Sequence, residues 1–352
     1  MDDALPTPQD GLPAGPPEPP DEPERRGLSA RLLDLRTREG ASFAERYAGV
    51  GFLLLLVAVF SALRPHLFPT TDNVIGIIGN EAVSGIVALG ILVPLAAGAF
   101  DVSIGGMMTL AVVQVTWLFQ ATHGKLPIPV AILVVLLTAV VVGLANAALV
   151  VKAKVEPLIA TIGTGTILSG LSQMIGNGET ITRDIPPSFT RIGRAFVYRI
   201  PVTTIIFAVL ALALWYVLTQ TPAGRVLYAT GAGREAARLS GVRTNRVVTL
   251  SYVTAAVAAG IAGIVFAARL GSGPPGSGAS YLLPAFATAF LGATMIKPGR
   301  FNVGGVVIAI LIIAVGINGL QILGIPFWVV DLFQGTALVV AVLLSRLQAK
   351  RL

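Results

Sequence analysis

Long apolar stretches alternate with short polar ones along most of the chain. Charge-poor runs fall at 47–63, 74–97, 102–122, 127–151, 157–177, 201–219, 247–269, 283–296, 302–324 and 326–345. A helix that crosses the hydrocarbon layer needs about 20 mostly apolar residues. The pattern therefore predicts about ten transmembrane helices. The run at 283–296 is short, and reads as a half-helix or as a segment sharing a break with its neighbour. Lipid offers no partner to a backbone amide or carbonyl, so each span must satisfy its own, and the expected fold class is an all-α membrane bundle. Glycine is frequent inside the runs; Gly163, Gly165 and Gly170 are positions where helices can approach closely.

The first 46 residues break this pattern. Residues 1–27 form a Pro- and acid-rich stretch, with prolines at 6, 8, 13, 16, 17, 19, 20 and 23, that has nothing to bury and is expected to be disordered. Residues 28–46 carry Arg31, Arg36, Arg38 and Arg46 and form either an amphipathic interfacial helix or a basic approach to the first span. A membrane domain is expected over 47–346, followed by a basic tail at 347–352. The first apolar run starts too late to be a signal peptide.

Composition sharpens the class. Only 12% of residues are charged, against roughly 25% in an ordinary soluble domain. The net charge of +7 does not point to nucleic acid, because the cations sit at the ends of apolar runs, as they do in proteins oriented by the positive-inside rule. An even number of spans puts both termini on one side. With that side cytoplasmic, 18 Lys and Arg fall inside and 7 outside. The outer loop 178–200 is the exception, with four arginines offset by Glu179 and Asp184.

Chemistry is sparse. There is no cysteine, which excludes disulfides and thiolate sites, and the two histidines, His66 and His123, read as solvated loop residues rather than a metal site. None of the five lysines sits in a phosphate-binding loop, so the chain is expected not to hydrolyse ATP itself and to bind no cofactor. Intramembrane ionisable groups are costly and tend to be functional. Asp101 is the one near a central position, with Glu81 and Asp331 closer to span ends. So few carboxylates argue that the driving energy comes from another protein. Among polar groups within the runs, Asn80, Gln114, Asn146, Thr161, Thr164, Ser169, Asn318 and Gln321 either hydrogen-bond across helices or line a pathway; Thr161 and Asn318 are the chosen pathway candidates.

Two segments stand out. In GAFDVSIGG (98–106), Asp101 and Ser103 either cap the third helix or face a pathway, and Gly105 and Gly106 allow a backbone break or a close helix approach. The longest inner connection, 220–246, is basic and contains a helix-forming stretch from Glu235 that ends at Gly241. It reads as a solvated loop or as a docking element for a cytoplasmic partner.

At this point the chain resembles the permeases of ribose/xylose-type ABC importers, a group that includes branched-chain amino acid permeases. The resemblance covers about 45–347. It rests on GAFDVSIGG, on PLIATIGTGTILSGLSQMI (157–175), on TPAGRVLYATGAGREAARLSGVRTNRV and on AGIAGIVFAARLGSGPPGSGASYLLPAFATAFLGAT. The Glu235-Ala236-Ala237-x-x-x-Gly241 spacing is similar to the motif by which ABC permeases engage their ATPases, and implies a coupling loop that includes Gly224, Arg225 and Gly231. The family's Gly-Gly-x-S-x-x-G-G run is replaced by GATMIKPGR (292–300), and its usual Glu-Leu before the next span by Leu282-Leu283.

The resemblance implies an importer permease of the bacterial inner membrane for a ribose- or xylose-like sugar. The same architecture serves nucleosides or branched-chain amino acids; a stand-alone carrier and a polytopic membrane enzyme are the readings from other classes. The implied partners are an ATP-binding subunit, in some cases with both nucleotide domains on one chain, an outer solute-binding protein, a second permease copy and membrane lipid, with no nucleic acid.

Overall fold

The computed structural model describes residues 47–349. The expectations for 1–27 and 28–46, and for the end of the C-terminal basic tail, lie outside the described residues.

Each of the ten apolar runs is a helix. In chain order these are α1 (Tyr47–Leu63), α2 (Thr71–Ala96), α3 (Ser103–Ala121), α4 (Ile128–Ala147, continued by a wider turn over Ala148–Lys152) and α5 (Pro157–Gly176). A short α6 (Pro187–Arg194) and a two-residue hairpin, β1 (Phe196–Val197) with β2 (Ile200–Pro201), precede α7 (Val202–Gln220). Then come α8 (Pro222–Ala232), α9 (Arg234–Leu239), α10 (Thr244–Leu270), α11 (Ala279–Gly292), α12 (Val303–Ile322) and α13 (Phe327–Ala349). Seven helices among the described residues are long and apolar enough to cross a membrane, and three apolar helices are shorter. This is an all-α membrane fold.

Local chemistry sets the helix ends. Glu156 caps α5, accepting from the Ile159 amide at 2.9 Å, and Pro157 fills the first helical position, where a missing N–H costs nothing. Asn302 caps α12 through the Gly305 amide at 2.7 Å. Gly271 closes α10 at φ 74°, a left-handed conformation that a side chain resists.

Packing centres on α10, which runs against α2, α3 and α4, while α3 also packs on α5. Ile86, Val87, Ile91 and Leu92 of α2, Met107, Met108 and Val112 of α3, and Ala255, Ala259 and Ala262 of α10 are fully buried. Small residues hold these helices close. A methyl group on Gly143 would sit 2.6 Å from the Val253 Cα, and one on Gly263 would sit 2.7 Å from the Met108 carbonyl oxygen. In lipid there is no hydrophobic drive between helices, so this backbone proximity supplies the van der Waals contact that holds the bundle.

The short run at 283–296 resolves differently from its hydropathy. The helix is 279–292, with Pro284 inside it. At 1.5 Å per residue its 14 residues extend about 21 Å, short of the ~30 Å hydrocarbon layer. It stops where Gly292 crosses Gly305 of α12, a crossing at which a methyl on Gly305 would overlap the Gly292 carbonyl. Residues 293–302 then turn through Ile296 (φ 60°) and Gly299 (φ 80°).

The two ends of the bundle differ. At one end lie the α6–hairpin segment and the links 122–127 and 270–278, tied by the Ile181–Gly273 bridge and by His123 Nδ1, 3.5 Å from the Asp184 carboxylate. At the other lie the α2–α3 link, the α4–α5 link, α8–α9 and 293–302. The connection 220–246 holds two helices, α8 and α9, rather than a loop with one helical stretch.

Candidate functional site

The α2–α3 link turns at Gly98 (φ 76°) and enters α3 through Asp101, Val102 and Ser103. Asp101 and Ser103 are both 1% exposed. One Asp101 carboxylate oxygen accepts from the Ser103 amide at 3.0 Å and from the Ser103 hydroxyl at 2.6 Å. Val102 holds the cap position of α3 without a side-chain bond, so Asp101 stabilises the helix start from one residue further out. Asn146 of α4 donates to the Ser103 hydroxyl oxygen at 2.7 Å. Thr161 of α5 accepts from the Val102 amide at 3.1 Å and donates to the Pro157 carbonyl. Tyr252 of α10 donates to the Phe100 carbonyl at 3.1 Å. The link is thus tied by polar side chains to α4, α5 and α10.

The knot is incompletely satisfied. Asp101 Oδ2 and Asn146 Oδ1 are buried with no hydrogen-bond partner among the described residues. A buried polar atom left unpaired costs about 1–3 kcal/mol, so such atoms mark strain or function more often than chance.

Gly105 and Gly106 do not break α3. Both lie within the helix and allow close crossings. A methyl on Gly106 would overlap the Gly165 carbonyl of α5, and one on Gly105 would lie 3.3 Å from the Gly278 carbonyl oxygen. Thr109 accepts from the Gly278 amide at 2.9 Å beside this crossing. Of the α5 glycines singled out above, Gly165 faces α3, while Gly163 and Gly170 have open space where a side chain would stand.

The 220–246 residues meet this link directly. A methyl on Gly98 would lie 3.3 Å from the Gly231 Cα, and one on Gly231 would overlap the Ala96 carbonyl, so the end of α8 lies backbone to backbone on the end of α2. Gly224 makes the tight hand-over from α7, where a methyl would overlap the Leu218 carbonyl. Arg225 is exposed. In α9, Ala237 is buried while Glu235, Ala236 and Leu239 are exposed. Glu235 pairs with Arg238 at 2.6 Å, and Arg234 donates to Asn245 at 3.1 Å. Gly241, at φ 86°, terminates the segment. A cavity of about 710 Å³ separates α9 from the α4–α5 link, lined by Val155, Glu156, Arg234, Glu235 and Arg238 among others.

Tyr228 of α8 donates to the Phe301 carbonyl at 2.6 Å under the Arg300 guanidinium. Burial pushes its phenol pKa up and Arg300 pulls the other way, so the hydroxyl stays a proton donor.

Asn318 is not part of the knot. It accepts from Asn73 Nδ2 at 3.1 Å, tying α12 to the start of α2, whereas Asp101 follows the end of that 26-residue helix.

A second cluster, at the α6–hairpin end, joins Asn80, named above as a polar group within a span, to two arginines that were not singled out as site residues. Arg194 of α6 donates to the Arg269 and Leu270 carbonyls at 2.8 and 2.7 Å, capping α10. Arg269 donates to the Gly79 carbonyl at 3.0 Å and also to Asn80. Two cavities, of about 720 and 390 Å³, share Asn80 and Arg269. The second is flanked by an edge-to-face pair, Phe266 and Tyr281, 5.6 Å apart. The signal available in the sequence was an arginine at one span end, Arg269, and an asparagine within another span, Asn80, without their juxtaposition.

An apolar helical bundle with cavities at both ends, and a two-helix segment lying on a buried polar knot, has the architecture of a membrane transport component. Residues 73–342 match the family described as "Branched-chain amino acid transport system / permease component". The chain belongs to that permease family and is a multi-pass inner-membrane protein. It is similar to "Ribose import permease protein RbsC" of Haemophilus influenzae, with 32% identity over 83% of this chain and 90% of the relative. It is likewise similar to "D-allose transport system permease protein AlsC" of Escherichia coli, with 30% identity over 88% and 94%. "Autoinducer 2 import system permease protein LsrD" of Escherichia coli matches at 32% over 82% and 88%. No solved structure matches the chain.

Proposed function

We propose that the chain is the pathway-forming subunit of an ATP-driven importer for a ribose- or xylose-like monosaccharide. The observation that carries this reading is the backbone contact between Gly231 of α8 and Gly98 of the α2–α3 link. A push on α8–α9 from below has a rigid path to Asp101, and from there to α4, α5 and α10. That is the requirement for a two-state bundle biased by a nucleotide-dependent partner. The sugar assignment is supported by the names of the three relatives, which concern ribose, allose and autoinducer 2.

In this reading there are ten spans, both termini are cytoplasmic, and α8–α9 faces the cytoplasm. A separate subunit binds and hydrolyses ATP, and docks on Glu235, Ala236, Ala237 and Gly241. An outer solute-binding protein delivers substrate to the mouth bordered by Asn80 and Arg269. A second permease copy completes the pathway, and Asp101, Ser103 and Thr161 form the inner hinge of each copy rather than its selectivity filter.

The test is a mild-detergent purification of the tagged protein from its own membranes, with every co-purifying chain identified. Recovery of a nucleotide-binding subunit is expected, together with an outer binding protein whose ligand is then screened among monosaccharides. Recovery of the permease alone in several detergents would favour a stand-alone carrier.

A further inference from the structure

A narrower cleft of about 240 Å³ lies beside α8, where the ends of α7 and α8 meet the 293–302 connection. Arg225, Lys297 and Arg300 line it, with Trp215, Asn302 and Gly304. No aspartate or glutamate lines it, and none of its three cations is in an ion pair among the described residues. Two of these cations, Lys297 and Arg300, come from the stretch in which this chain replaces the family's Gly-Gly run.

The positive character is built into the backbone as well. Asn302 caps α12 at the cleft and is itself buried, with Nδ2 donating to the Met295 and Arg300 carbonyls at 3.0 and 2.9 Å. Val303 and Gly304, in the first turn of α12, line the cleft. First-turn amides have no acceptor within their helix and carry the positive end of its dipole. Arg300 is held 4.1 Å over the Tyr228 ring, so one wall is fixed. Arg225 and Lys297 remain exposed.

The cleft also has an apolar side. Trp215 belongs to α7, whose Val209, Leu212 and Tyr216 are exposed, as expected of a helix in contact with acyl chains. A tryptophan at the end of such a helix marks the level of the headgroups. Three unpaired cations gathered beside a helix N-terminus repel one another, and a compact anion between them relieves that repulsion. An occupant that is anionic at one end and apolar at the other satisfies both sides.

We propose that this cleft binds the phosphodiester headgroup of an anionic phospholipid of the inner leaflet. The proposal uses the orientation given above but is independent of the transported substrate. Basic pockets between transmembrane helices on the cytoplasmic side have the chemistry for such headgroups.

The full-length protein is purified in mild detergent and its retained phospholipids are counted by native mass spectrometry. It is then exchanged into vesicles of phosphatidylglycerol or of phosphatidylcholine, with and without inorganic phosphate. Preferential retention of phosphatidylglycerol is expected, falling roughly tenfold or more in the Arg225→Gln/Lys297→Gln double variant and staying unchanged in Lys152→Gln. Arg300 is left intact because it packs on Tyr228, and Lys297→Gln alone serves if the double variant does not fold. Equal retention of the two lipids, or a double variant that keeps its phosphatidylglycerol, overturns the proposal. Binding of inorganic phosphate without any lipid preference overturns the lipid assignment in favour of a soluble phosphate. Loss of a co-purifying ATPase subunit with unchanged lipid retention assigns the cleft to that protein and overturns it equally.

Discussion

Asp101 carries two bonds on one oxygen and none on the other, so its substitutions separate structure from chemistry. Asp101→Ala removes the acceptor for the Ser103 amide and hydroxyl and leaves both buried, at about 1–3 kcal/mol for each group stranded. The expected outcome is a lower melting temperature in detergent and a reduced yield of assembled complex. Asp101→Asn keeps an acceptor of the same shape and is expected to retain assembly. An Asp101→Ala protein that assembles and couples normally but prefers a different substrate would overturn the hinge role. Asp101 and Ser103 were conspicuous in the sequence because polar residues between apolar runs are expensive. Their pairing with other helices was not, although Asn146 had itself been named as an in-span polar group. Asn146 lies on α4 and Tyr252 on α10, and spacing along one helix carries no information on which turn of another helix it will face.

In the proposed complex, helices α8 and α9 are the element that meets the ATP-binding subunit. The Glu235–Arg238 pair is a surface pair, with side chains 68% and 65% exposed, so it contributes at most about 1 kcal/mol to the fold. Glu235→Arg is therefore expected to leave the melting temperature within about 2 °C of the parent. It places a second cation beside Arg238 and Arg234, and is expected to abolish substrate-stimulated ATPase activity in the reconstituted complex. Normal stimulation would remove α9 from the coupling path. The elements themselves were largely readable, since a 20-residue apolar run in lipid has no alternative to helix. Their ends were less so. The 279–292 helix starts four residues before its hydropathy does and stops at a glycine crossing that depends on α12, and most of the basic 220–246 segment folds as helix because α8 lies on the end of α2.

At the scale of the molecule, two long helices present different surfaces to their surroundings. Helix α7 exposes Val209, Leu212 and Tyr216, large groups suited to acyl chains. Helix α5 also exposes large apolar groups, Ile159, Ile167 and Met174, but among them Gly163, Thr166, Gly170 and Gln173 recur at three- and four-residue spacing, and nothing stands within 4 Å of where a side chain on Gly163 or Gly170 would begin. Small residues let backbones approach, and a polar side chain in lipid gains from a partner on another helix. The α5 face is thus suited to a second copy of the chain and the α7 face to lipid. The absence of cysteine makes this directly measurable, because any introduced thiol is the only one on each chain. A disulfide requires Cα atoms within about 7 Å. Thr166→Cys and Gly170→Cys are expected to give oxidised dimers in native membranes, and Leu212→Cys to remain monomeric at equal expression. The reverse pattern would move the pairing surface to α7 and with it the pathway between copies. A lack of dimers at all three positions would leave α5 facing lipid, where its threonine and glutamine would have to satisfy themselves on their own helix, as the Thr166 hydroxyl already does by donating to the Ile162 carbonyl at 3.0 Å.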